Sequence, residues 1–223
     1  MDFMKWLNSL DELLYEVISW LIFYPVTLGR TLLHPIAMMG YADRQLALPQ
    51  EQQYGAALSP PLFLALTLSI AHLGATALGE TDQLVANRHG LSNLIDDDAS
   101  ALAFRLLIFS IFPLLMSLHF VWRRRLPLDR NSLRLPFYAQ CYPAAIFALG
   151  LSFGTMAISL KSAGAQSAGA AIIVLAILFY LLVEARWFAV QFRTGLVRGA
   201  ATASAALIEG ATILVGAGLL LGT

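Results

Sequence analysis

One cysteine, Cys141, stands in 223 residues, so neither an intrachain disulfide nor a cysteine-based zinc site can form. Its expected role is that of a small packing residue. Charge is scarce as well: 13% of residues are Asp, Glu, Lys or Arg, about half the share of a soluble domain. The 14 basic residues are matched by 14 acidic ones, and without a basic excess nucleic acid is excluded as the main partner. Catalytic signatures are missing too. There is no HExxH, GxSxG, P-loop, GxGxxG or CxxC, so no enzyme activity, cofactor or metal site is expected. The run Asp96, Asp97, Asp98 lacks the spaced ligands and turn glycine of a calcium loop. It reads instead as an acidic first helical turn, where carboxylates meet the positive end of the helix dipole.

What fills the chain is apolar: 58% hydrophobic residues and a mean hydropathy of +0.70. Crossing a bilayer takes about 20 mostly apolar residues in a helix, because lipid leaves no backbone group unpaired without penalty. Five such runs lie at about 61–79, 102–122, 137–160, 168–188 and 199–221. An all-α integral membrane protein follows, with a 1–60 N-terminal segment and a 61–223 transmembrane domain. Pro113 and Pro143 are expected to kink the second and third spans.

The N-terminal segment differs in kind. Phe3, Trp6, Leu7, Leu10, Leu13, Leu14, Val17, Trp20, Leu21 and Tyr24 recur at helical spacing, while Lys5, Asn8, Asp11, Glu12 and Glu16 occupy the other face. The wholly apolar part, 17–28, is short and meets Pro25. An interfacial amphipathic helix is therefore expected in preference to a sixth span. With acids so near the start and no small-residue cleavage site, this segment is expected to be retained. Residues 41–60 read as a polar connector.

Basic residues fix the expected orientation. Lys5, Arg30 and Arg44 precede the first span, Arg123, Arg124, Arg125, Arg130 and Arg134 separate the second from the third, and Arg186, Arg193 and Arg198 separate the fourth from the fifth. The opposite loops hold only Arg88 and Lys161, with Glu80, Asp82 and the three aspartates. The N-terminus is thus expected inside and the C-terminus outside, in a bacterial inner membrane.

Ionisable groups inside spans are costly and mark candidate sites. Glu209 falls near the middle of the fifth span and His72 at a matching depth in the first, so the two are candidates for a substrate or proton site. Alternatively, each serves as hydrogen-bonding glue between helices. A second polar level gathers His119, Arg123, Arg124, Arg125, Glu184 and Arg186 at the cytoplasmic face, as headgroup contacts or helix anchors. Gly199, Ala203, Ala206, Gly210, Gly216 and Gly218 allow close helix approach, within the bundle, in a homo-oligomer or with a partner membrane protein.

RTLLHP (Arg30 to Pro35) and LSPPLFL (Leu58 to Leu64), set in this layout, resemble the bacterial Yip1-like membrane proteins often labelled permeases. The DLYGP-type motif of the eukaryotic Yip1 proteins is missing, so a trafficking role is not implied. VRGAATASAALIEGATILVGAG, from Val197, is similar to the tails of MlaE-type lipid-transporter permeases, whose central acidic-Gly-Pro segment is absent here. The resemblance implies a permease-like protein that binds or moves a small amphiphile or lipid, with membrane lipids as partners. The rival expectation is a scaffold or adaptor that holds partner proteins.

Overall fold

A computed structural model describes residues 2–77, 98–160 and 162–222. Among them the long apolar runs all fall within α-helices. α1 spans Asp2–Leu33, α2 Pro35–Leu46, α3 Pro60–Ala77, α4 Asp98–Arg123, α5 Arg130–Ser159, α6 Ala163–Phe192 and α7 Leu196–Gly222, with one short 3-10 turn at Gln50–Gln52. Five of these helices, α3 to α7, are long and apolar enough to cross a membrane, as the sequence led us to expect. α5 and α6 run 30 residues each, about 45 Å at 1.5 Å per residue, and so extend beyond the hydrocarbon at their ends.

Helix starts are chemically marked. The Asp129 carboxylate caps α5 by accepting from the Ser132 N–H at 2.8 Å and its hydroxyl at 2.9 Å, which holds the carboxyl below its usual range. Ser162 caps α6 through the Ala165 N–H at 3.3 Å. Pro35 opens α2, where its missing N–H has no intrahelical role to lose.

Two expectations about the N-terminal segment need correction. Pro25 does not end a helix: α1 continues through it to Leu33, because a proline removes one intrahelical hydrogen bond and tertiary contacts can outweigh that loss. Those contacts are present. Tyr24 donates to Thr67 on α3 at 3.3 Å, the Thr27 hydroxyl accepts from the Leu58 N–H at 3.0 Å, and Arg30 donates to the Ala56 carbonyl at 2.9 Å. Nor is 41–60 all connector, since Tyr41 to Leu46 belong to α2, whose Met38, Met39 and Ala42 are buried. Residues 10–18 of α1 keep Leu10, Leu13, Leu14 and Val17 exposed.

α5 is the centre of the bundle, packed against α3, α4, α6 and α2. Its buried face sets small residues, Ala139, Ala144, Ala145 and Ala148, among large ones such as Tyr142 and Phe147, and the small ones let neighbouring backbones approach. Gly154 on α5 lies so close to α6 that an added Cβ would sit 2.9 Å from the Gly169 carbonyl. α7 packs on α6 and on α4. There Gly199 meets the Ala185 backbone and Gly210 meets Phe112, with Ala203 and Ala206 buried. This small-residue face is therefore spent inside the chain. Gly216 alone of the glycines described on it looks onto open space. The helices α4 and α5 also run unbroken through Pro113 and Pro143.

Candidate functional site

The arginine-rich end of the bundle is shaped by how α4 and α6 stop. Arg125 has φ 53° and Arg193 φ 51°, a left-handed conformation that usually falls to glycine. The Leu126 N–H reaches back to the Val121 carbonyl and the Arg125 N–H to Trp122. Thr194 and Arg193 repeat this towards Ala189 and Val190. Both helices thus close with a Schellman turn, which brings the residue after the left-handed position back over the last helical turn. On α4 that residue is Leu126, folded towards Val121.

This turn forms one wall of a half-open pocket of about 350 Å³, lined by Leu118, Val121, Trp122, Leu126 and Leu128 and by two polar side chains, His119 and Glu209. His119 Nε2 and Glu209 Oε2 are 2.9 Å apart. The His119 side chain is 15% exposed and that of Glu209 51%. Glu209 is paired, then, but its carboxylate still opens on the pocket. The Trp122 indole, 76% exposed, stands edge-on to the His119 ring at 6.5 Å.

Helix direction explains the pairing. Side chains lean towards the N-terminus of their own helix. α4 runs towards the arginine-rich end and α7 away from it, so His119 leans inwards and Glu209 leans outwards. A second link sets the register: Arg123 donates to Thr202, seven residues before Glu209. The expected partner of Glu209 was His72, and the geometry replaces it with His119. His72 is 4% exposed on α3, whose packing is on α5 and to a smaller extent α4, whereas α7 packs on α6 and α4.

The remaining arginines divide. Arg124 donates to the Gln191 carbonyl, and its guanidinium lies over Phe120 at 5.5 Å and Phe192 at 5.6 Å. Arg123 also covers Phe192 at 5.6 Å. These two therefore bind α4 to α6 and α7 as well as facing outwards. Arg125 is exposed beside the pocket. Arg186 is exposed elsewhere, with His34, Phe179 and Leu182, on a groove between the α1–α2 junction and α6. Glu184 departs most from expectation. Two residues before Arg186, it falls on the opposite face of the helix and is fully buried, so it touches neither headgroups nor Arg186.

Among the described residues no three of His, Cys, Asp and Glu converge as a metal site requires. Cys141 is fully buried. Arg88, Lys161, Glu80, Asp82, Asp96 and Asp97 lie outside the described residues. No protein-family model matches the chain, and no curated protein and no solved structure matches it.

Proposed function

We propose that this multi-pass membrane protein is permease-like and takes up an amphiphile at the His119–Glu209 pocket, with its arginine-rich end facing the cytoplasm of a bacterial cell. One observation carries this reading: a carboxylate half-open to a pocket whose other walls are apolar, beside an exposed arginine turn. Such a site suits a molecule with an apolar chain and a head of both signs. The chain lies along Leu118, Val121, Leu126 and Leu128, an ammonium group meets Glu209, and a phosphate meets Arg125. The resemblance of RTLLHP and LSPPLFL, in this layout, to the Yip1-like proteins labelled permeases supports the same reading. The scaffold reading is weakened where it leaned on Gly210, which is spent against Phe112.

Trp122 supplies the test. Lysophosphatidylethanolamine carrying a brominated acyl chain, added to the protein in nanodiscs, should quench Trp122 fluorescence saturably, and Trp122→Phe should remove that component. Loss of a charge-assisted contact is worth about 1.5–3 kcal/mol, so Glu209→Gln should weaken binding about tenfold or more. Quenching that does not saturate, or that is equal in Glu209→Gln, overturns the reading. Recovery of a stoichiometric partner protein from the native membrane, with no lysolipid binding, would favour the scaffold.

A further inference from the structure

The seam between α5 and α6 buries three polar side chains away from the pocket just described. Tyr180 and Glu184 stand one turn apart on α6, hence on one face, and Gln140 approaches Glu184 from α5. All three are 0% exposed. Yet both carboxylate oxygens of Glu184, both amide atoms of Gln140 and the phenolic oxygen of Tyr180 make no hydrogen bond. Gln140 lies within hydrogen-bonding reach of Glu184, although their atoms do not meet in full bonding geometry. Five buried polar atoms in one seam thus lack a well-formed hydrogen bond, although most buried polar atoms in proteins have one.

The surroundings do not neutralise the carboxylate. Phe147 on α5 stacks on the Tyr180 ring at 4.7 Å, and Phe112 on α4 meets it edge-on at 6.5 Å. Cys141 on α5 is the other titratable neighbour of Tyr180. α7 reaches α6 beside Glu184 through Gly199 against Ala185, and α2 buries Met38, Met39 and Ala42. The charged side chains beside these contacts, Arg186 on α6, Arg198 on α7 and Arg44 on α2, are exposed, and Asp43 answers to Arg44. An isolated carboxylate in such a place is strongly disfavoured, so a positive charge must come from outside the chain.

We propose that Glu184, Gln140 and Tyr180 form a binding site for one monovalent cation inside the bundle. The Glu184 carboxylate supplies the countercharge, and the Gln140 carbonyl and Tyr180 hydroxyl supply neutral oxygens. A proton satisfies the same chemistry by sitting on Glu184 and donating to Gln140 Oε1, while the Tyr180 hydroxyl donates to the second carboxylate oxygen. A sodium ion satisfies it with the three oxygens as ligands. In either case the occupant rigidifies the α5–α6 seam. The site stands independently of the amphiphile pocket, and gives the bundle a means of responding to a cation gradient.

The test is thermal unfolding of the full chain in nanodiscs, titrated with sodium chloride against choline chloride at alkaline pH, and with acid in choline alone. A proton site raises Tm as pH falls, whatever the sodium concentration. A sodium site raises Tm saturably with sodium and not with choline. Glu184→Gln keeps the shape and removes the charge, so the difference in cation dependence between it and wild type isolates this site from every other titrating group. Tyr180→Phe keeps the ring stack and should move the titration midpoint at least threefold. A wild-type Tm indifferent to both cations, or the same dependence in Glu184→Gln, overturns the proposal. Should Glu184→Gln fail to accumulate, an unmoved midpoint in Tyr180→Phe overturns it instead.

Discussion

Glu184 and Glu209 are the same residue type in neighbouring apolar helices, and their surroundings part them: one is fully buried among unmet amide and phenol groups, the other half-open and paired with a histidine. Asp43 is a third acid with its own behaviour. It sits partly buried on α2 with one carboxylate oxygen unbonded, and burial pushes it up to about 6, against the smaller opposing pull of Arg44. An unfolded aspartate titrates near about 3.9. Between those values the folded chain binds the extra proton, so stability is fullest below the unfolded value and is lost as pH rises towards 6. Asp43→Asn should remove this part of the pH dependence, read as the slope of Tm against pH in that window. An unchanged slope would place the titration elsewhere.

At the scale of elements, glycine decides how near helices come. Gly154 and Gly169 put the backbones of α5 and α6 in direct contact, and valine at position 154 would strike Ile173 and the Gly169 carbonyl. Overpacking of this kind costs about 1–3 kcal/mol. Gly154→Val should therefore lower Tm clearly, whereas Gly216→Val, with open space around it, should leave it nearly unchanged. Equal effects would mean that helix propensity, not packing, is being measured. The five spans were legible in the sequence because composition and length bear directly on crossing a bilayer. α2 was not, since Asp43, Arg44 and Gln45 interrupt its short apolar pattern, and only Pro35 announced its start. The run of α1 past Pro25 depends on contacts with α3 and the connector, which no local pattern records.

For the whole molecule, helix order was the missing information. Glu209 and His119 were each identifiable as suspect, but pairing them requires knowing that α7 lies against α4, and that opposite helix directions bring the two side chains to one depth. The Glu184 seam was hidden for a related reason: its neighbour Arg186 suggested an interfacial anchor until α5 was seen to cover the other face. The expected orientation has a direct check. In a Cys141→Ser background, Leu160→Cys at the end of α5 should react with an impermeant maleimide on intact cells, and Leu128→Cys, in the arginine-rich loop, only after permeabilisation. The reverse pattern would invert the topology.

The central position of α5 has a consequence for biogenesis. α3 and α4 are the first two spans to be synthesised, yet they touch each other little and find their main surfaces on α5. Until that third span leaves the ribosome, the two earlier spans must wait in the membrane without the surface that buries most of their inner faces. Assembly of the spans therefore waits on the emergence of α5, and a chain stalled before residue 159 leaves two loosely paired spans for quality control to recognise.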